Sequence, residues 1–233
     1  MTAVIEARAL GKSYGPSPVL RDVNLSVEAG CGAALVGTNG AGKSTLIRLL
    51  AGLALPSTGA AMLFGEAARS LAPDLRRRVG LLSHQSFLYP NLTARENLEF
   101  YAEIYGIRDA CTEARIWLDR VALSPAADSR VRTFSRGMEQ RLAIARAMIA
   151  RPDVLMLDEP FAALDPEGVA RASALVRQAM ERGCAVLASA HEPGLLAESG
   201  FKIVTLRRGR LIASEPAAAE SKPVAMALAR QVS

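Results

Sequence analysis

Two stretches of the chain hold residue types from which chemistry can be built. One is a glycine-rich run ending in a lysine and two hydroxyls, Gly37-Thr38-Asn39-Gly40-Ala41-Gly42-Lys43-Ser44-Thr45. The other is an apolar run ending in two acids, Val154-Leu155-Met156-Leu157-Asp158-Glu159-Pro160. The first has the complete G-x-x-x-x-G-K-[ST] spacing, and it lies between an apolar run, Cys31 to Val36, and a helical pattern, Ser44 to Leu53. In that context the glycines let backbone N–H groups turn inward around a phosphate chain, at the positive end of the following helix. Lys43 then reaches the terminal phosphates and Ser44 offers its hydroxyl to Mg²⁺. A buried strand ending in acids delivers both carboxylates to the carboxyl edge of a sheet, beside such a loop. Asp158 suits the outer shell of the metal, and Glu159 is placed to orient or deprotonate an attacking water. An apolar run ending in acids is weak evidence alone; paired with the phosphate loop it is strong.

Short strand-like runs alternate with helical ones, which predicts an α/β domain. Val4 to Ala9 and Val19 to Val27 read as strands of an antiparallel flank, Ala60 to Phe64 as a strand after the turn Pro56-Ser57-Thr58-Gly59, and Val79 to Ser83 as a buried strand. The texture changes near Leu92. Thr93-Ala94-Arg95-Glu96 has the form of a capping box, opening a helix that Gly106 ends, and Ala110 to Val121 reads as a second helix. Residues 88–150 are therefore expected to form a helical lobe inserted in an α/β core of residues 1–87 and 151–215. In the returning core, Pro166 to Arg182 reads as a helix and Ala185 to Ser189 as a strand. Phe201 to Arg207 and Leu211 to Ser214 flank Arg208-Gly209 as a hairpin, and residues 216–233 form an Ala-rich tail of no predicted fold.

Composition narrows the classes. Half the residues are hydrophobic, yet no stretch approaches the ~18 apolar residues of a membrane span. The first residues lack the basic and apolar regions of a signal peptide, so a cytoplasmic location is expected. Cys31, Cys111 and Cys184 show no metal or redox spacing and read as small hydrophobes in a reducing compartment. The net charge of +5 suits nucleotides or anionic headgroups as well as nucleic acid. With aromatics at only 5%, a stacking platform for single strands is not expected.

Between the loop and the acids lies Phe134-Ser135-Arg136-Gly137-Met138-Glu139-Gln140-Arg141-Leu142, followed by Ala143-Ile144-Ala145-Arg146-Ala147. This run resembles the signature helix of the ABC ATPases. The other motifs of that family follow in order over residues 4 to 214. Tyr14 resembles the aromatic that stacks on adenine, and Gln85 the glutamine loop that helps to bind Mg²⁺ and serves catalysis. Ala162-Ala163-Leu164-Asp165 is similar to the dimer-contact loop and His191 to the switch histidine. The resemblance implies a P-loop NTPase of the ABC cassette type, with a mixed sheet core, an antiparallel β flank and the inserted helical lobe. It implies two such subunits sandwiching two ATP molecules with Mg²⁺, on integral membrane subunits at the cytoplasmic face, and no nucleic acid. In that sandwich Ser135 and Gly137 of one copy cap the phosphates held by the other. Ser135 suits this as an N-cap hydroxyl at a helix start, and Gly137 by letting the backbone approach closely. The chain departs from the usual signature at Arg136 and Met138, where glycine and glutamine are commonest. Arg136 reads as a phosphate contact or as a solvent-exposed side chain, with the exposed reading favoured. His84 has no second metal ligand near it in sequence and reads as a strand-end residue.

Finer resemblances concern the cargo. Ser83-His84-Gln85, Leu92-Thr93-Ala94-Arg95-Glu96-Asn97-Leu98-Glu99-Phe100-Tyr101 and Asp165-Pro166-Glu167-Gly168-Val169-Ala170-Arg171 resemble the ATPases of haem exporters that serve cytochrome c maturation. Drug and polysaccharide exporters share the Ser-Arg-Gly-Met signature. A soluble ABC ATPase acting on DNA or ribosomes is disfavoured, because a coiled-coil insertion or second cassette usual in that class does not fit this length.

Overall fold

A computed structural model describes residues 3–190, 194–198 and 200–212. His191, the residues of the expected hairpin beyond 212 and the tail lie outside the described residues. The chain opens with β1 (Ala3–Tyr14), β2 (Ser17–Glu28) and β3 (Gly32–Val36), then α1 (Lys43–Leu50). β4 (Thr58–Leu63), β5 (Glu66–Ala67), the short α2 (Pro73–Arg76) and β6 (Val79–Leu82) follow. Three helices come next, α3 (Ala94–Ile104), α4 (Ala110–Arg120) and α5 (Arg136–Met148). β7 (Val154–Asp158), α6 (Pro166–Glu181), β8 (Ala185–Ala190), α7 (Gly194–Glu198), β9 (Lys202–Arg207) and β10 (Arg210–Ile212) close the described chain.

The strands form two sheets. One is antiparallel in the order β2-β1-β4-β5, and the other is a mixed sheet of six strands in the order β10-β9-β3-β8-β7-β6. The central strands of the mixed sheet pair in parallel, and β10 adds an antiparallel edge. β7 and β8 are buried at every position, the mark of strands covered on both faces. Their side chains divide by the two-residue period of a strand. Val154, Met156, Ala185 and Leu187 pack with α1 and the antiparallel sheet. Leu155, Leu157, Val186 and Ala188 pack with α5 and α6, in a core that runs on through α3 and α4 to the fully buried Trp117. No helix among the described residues is long and apolar enough to cross a membrane.

The capping box at Thr93 forms as the spacing predicts. Glu96 N–H donates to Thr93 Oγ1, and Thr93 N–H donates to Glu96 Oε2 at 2.7 Å. The strand expected at Val4 to Ala9 runs on to Tyr14 instead. Ala9 adopts φ 46° inside a register shift between Ala7 and Leu10, so a bulge interrupts the alternation while pairing with β2 continues. The helix expected to reach Leu53 stops at Leu50, because Gly52 turns the chain at φ 72° where a Cβ would meet the Ala68 carbonyl.

Candidate functional site

The phosphate loop leaves the carboxyl end of β3 and enters α1 at Gly42. Two of its glycines are imposed, Gly37 by a backbone atom in its way and Gly42 by its positive φ. A Cβ on Gly37 would stand 2.3 Å from the Leu206 carbonyl oxygen; one on Gly42, at φ 105°, would stand 2.8 Å from Leu20 Cδ2. No side chain caps the start of α1 and no acid lies in its first turn, so the first amides are left for an external acceptor. Lys43 is buried at 5% exposure. Its ammonium donates to the carbonyls of Gly37 at 2.6 Å and Thr38 at 3.3 Å, and no carboxylate among the described residues pairs with it. A buried cation whose partners are carbonyls only, next to uncapped helix amides, fits the phosphates of a nucleotide.

β7 ends at Asp158, which is buried and lies opposite Ser189 of β8 in the parallel register. The Ser189 hydroxyl donates to Asp158 Oδ1 at 2.7 Å and accepts the Glu159 N–H at 2.9 Å. Glu159 turns off the sheet in the left-handed region at φ 53°, a conformation that costs a non-glycine residue ~1–2 kcal/mol and must be held by its surroundings. The hold comes from Ser189 on its amide and from Ala162 N–H and Gln140 Nε2 on its carbonyl, Gln140 also donating to the Pro160 carbonyl at 2.9 Å. A cavity of about 430 Å³ opens here. Ser44, Asp158 and Glu159 line it together with residues of the loop after β6, Ser83, His84 and Ser86, and with Arg136, Glu139 and Gln140 of α5. The Ser44 hydroxyl and the Asp158 carboxylate in this lining are hard oxygen donors suited to Mg²⁺.

The signature run places Ser135 at the N-cap of α5, where its Oγ accepts from Met138 N–H at 3.3 Å. Gly137 is held by its own chain, since a Cβ there would stand 2.9 Å from the Ala163 carbonyl. Neither Ser135 nor Gly137 lines the cavity that holds Ser44 and the acids, whereas Arg136 does so while remaining exposed. Tyr14 is 53% exposed, with the Lys12 ammonium 4.9 Å from its ring centre. Thr38, Asn39 and Gly40 are exposed at the loop crest; Ala41 is buried and Thr45 half-buried. Gln85 is exposed and does not line the cavity; its neighbour His84 does. Asp165 caps α6 through Gly168 N–H at 2.8 Å, while Ala162 and Ala163 lie exposed.

Several contributors escaped sequence reasoning. Ser189 reads as one more small residue in an apolar strand; its only signal is a hydroxyl in Ala185 to Ala190. Ser86 donates to Glu139 Oε1 at 2.7 Å and ties the loop after β6 to α5. Arg146, buried in α5, donates to the Leu81 carbonyl at the end of β6 and lies beneath the rings of Phe87 and Tyr101. Burial pushes its guanidinium pKa down. Asn97 fixes the same loop through the Tyr89 amide and carbonyl.

A phosphate loop feeding a helix, two acids on the neighbouring strands' edge and a signature helix reaching toward them define a nucleotide-binding cassette. The ABC transporter family model matches residues 20–162, and the chain belongs to that family. It is 37% identical over 193 residues to the Nod factor export ATP-binding protein I of Cupriavidus pinatubonensis, covering 82% of this chain and 59% of that protein. The chain thus spans about three fifths of that relative's length. To the bacitracin transport ATP-binding protein BcrA of Bacillus licheniformis it is 36% identical, over 93% of this chain and 71% of that one. A solved ATP-binding subunit of an ABC transporter superposes with a TM-score of 0.83 at 32% identity, over 90% of this chain and 88% of that one. A dimeric ATP-binding cassette in a post-hydrolysis state, bound to ADP and Pi, superposes with the same TM-score at 27% identity over 91% of this chain and 97% of that one.

Proposed function

We propose that the chain binds and hydrolyses ATP as one of two cassettes closing on a shared pair of nucleotides, and that it powers export through separate integral membrane subunits. The observation that carries this is the one cavity lined by Ser44, at the start of α1, and by Asp158 and Glu159, at the end of β7, with Lys43 buried immediately before Ser44. Lys43 and the α1 amides hold the phosphates and offset the charge of the transition state. Ser44 and Asp158 would hold Mg²⁺, which would neutralise the phosphate oxygens; Gln85, expected as a further ligand, lies outside their cavity in the single chain and would join them only if its loop turned inward. Glu159 accepts the proton of the attacking water as its oxygen bonds to the terminal phosphorus and the bond to the ADP oxygen breaks. His191 serves that reaction as the switch histidine. Tyr14, exposed at the end of β1, stacks on adenine. Ser135 and Gly137 of a second copy complete the site, which accords with their position away from their own chain's cavity. The dimeric cassette holding ADP and Pi supports the same arrangement. Residues 88–150 act as a helical lobe on a core of residues 1–87 and 151–215, and the assembly works at the cytoplasmic face of the membrane without nucleic acid.

The cargo we read as haem for c-type cytochrome assembly, on the segments Ser83 to Gln85, Leu92 to Tyr101 and Asp165 to Arg171. A second reading, export of a drug or polysaccharide, is favoured over haem by the relatives named for Nod factor export and bacitracin transport. Replacing the native protein by Lys43→Ala separates the two. The haem reading predicts loss of covalent haem staining of denatured periplasmic proteins, with b-type haem proteins intact. Normal staining together with new drug sensitivity supports the second reading. Release of phosphate from Mg-ATP by the purified protein tests the activity itself.

A further inference from the structure

We propose that Ser189 is a positioning residue that sets the two acids as a unit, through a hydroxyl shared between the Asp158 side chain and the Glu159 backbone. The inference rests on the roles read for Asp158 and Glu159 above.

Ser189 is fully buried on β8, flanked by Ala188 and Ala190. A hydroxyl in such a strand is costly unless both of its hydrogen-bonding functions are used. Here both are. The Glu159 amide can only donate, so it occupies a lone pair of Ser189 Oγ, and the single hydroxyl proton is directed to Asp158 Oδ1. The direction of the chain of bonds is therefore fixed: amide to hydroxyl to carboxylate. Bonds linked in this way strengthen one another.

Two consequences follow for the site. Asp158 is held by one oxygen, and among the described residues its Oδ2 accepts no hydrogen bond, so the carboxylate presents that oxygen in a fixed plane. Glu159, in the left-handed region at φ 53°, has its amide anchored to the same hydroxyl, so its side chain leaves the sheet at a set angle. The parallel register that puts Ser189 opposite Asp158 makes the link a property of neighbouring strands rather than of a mobile loop. Outer partners that orient a metal-ligating carboxylate typically govern metal affinity or rate by ~10- to 100-fold.

The test compares native protein with Ser189→Ala and Ser189→Thr, measuring kcat, KM for ATP, the Mg²⁺ concentration for half-maximal hydrolysis, and melting temperature. Ser189→Ala is expected to lower kcat by roughly 10- to 100-fold and to raise the Mg²⁺ requirement. Its affinity for a fluorescent ATP analogue without Mg²⁺ is expected to stay within about twofold, since Lys43 and the loop amides are untouched. Ser189→Thr keeps the hydroxyl and is expected to recover much of the rate. Ser189→Cys, close to serine in shape with only a weak S–H donor, is expected to follow alanine, which keeps the test open where the alanine variant folds poorly. Native rates and native Mg²⁺ dependence in Ser189→Ala would overturn the proposal while leaving the ATPase reading intact. So would a threonine variant that folds yet is as slow as alanine. Absence of hydrolysis by the native protein would overturn the reading on which the proposal stands.

Discussion

Replacing Lys43 by methionine separates what this residue does for the fold from what it does for the nucleotide. Lys43 as a whole is buried, and its ammonium makes one good hydrogen bond, to the Gly37 carbonyl at 2.6 Å, while the 3.3 Å contact to Thr38 adds little. A hydrogen bond to a charged group contributes about 1.5–3 kcal/mol. Burying an ion away from water costs several kcal/mol. Methionine fills similar space and carries no charge, so the fold is expected to gain about 0–2 kcal/mol, a melting temperature unchanged or raised by up to about 8 °C for a chain of this size. Binding moves the other way. Losing a cation on the phosphates costs about 2–4 kcal/mol, or roughly 30- to 1,000-fold in Kd. Thermal melts with and without ATP read both effects. At ATP about 100 times the native Kd, the native protein gains about 2.7 kcal/mol, and the variant should gain no more than about 0.9 kcal/mol. A variant that melts far below native protein without nucleotide, or keeps the full ATP shift, refutes this account of the loop.

Tyr14→Ala should weaken ATP binding by about 1–3 kcal/mol, the scale of a base–aromatic stack, and leave the melting temperature unchanged, because the ring is half exposed. GTP should weaken in parallel, and a loss confined to ATP contradicts a stacking role. The Glu96 carboxyl is held below its ordinary pKa of 4.5 by the Thr93 amide and then the Thr93 hydroxyl. Its folded pKa is depressed, so its contribution to stability is present above about 4.5 and is lost as pH falls through the folded value. Glu96→Gln should therefore flatten the acid side of the stability–pH curve, read by denaturant midpoints between about pH 6 and 3, whereas Thr93→Ala, which keeps the donating amide, should flatten it only in part. Burial pushes the Cys184 thiol pKa up to about 12, while Cys31 and Cys111 are exposed. At pH 8 a maleimide should label Cys31 and Cys111 quickly and Cys184 only on unfolding; rapid native labelling of Cys184 contradicts its burial.

Features set by local spacing are legible in the sequence. The phosphate loop, the acid pair and the Thr93 box are each contiguous, and each forms where the pattern put it. The hairpin at Arg208-Gly209 was legible for the same reason, both residues having positive φ at 49° and 75°, as a two-residue turn between strands requires. Features set by contacts distant in sequence were not legible. The extension of β1 to Tyr14 depends on a bulge at Ala9, which breaks the period-two pattern without ending the pairing. Ser189 is distinguished from its alanine neighbours only by the register that sets it opposite Asp158. Between His84 and Gln85, the turn closed by Ser83 Oγ on the Gln85 amide selects the residue that faces the cavity, and composition carries no trace of that choice. The sequence assigns Gly137 to a close approach to phosphate; a nearer constraint is the Ala163 carbonyl, 2.9 Å from where its Cβ would stand.

The central claim is that two copies of this chain close on ATP and that Glu159 removes the proton from the attacking water. Glu159→Gln keeps the shape of the side chain and removes its basicity. Hydrolysis should fall by ~10² to 10⁴, the usual worth of a positioned base, while Lys43 and the loop still hold the nucleotide. Size-exclusion chromatography of Glu159→Gln, with and without Mg-ATP, tests the claim most directly. The account predicts a monomer without nucleotide and a stable dimer containing two ATP per pair of chains with it. A variant that binds ATP and yet elutes as a monomer would contradict the shared site.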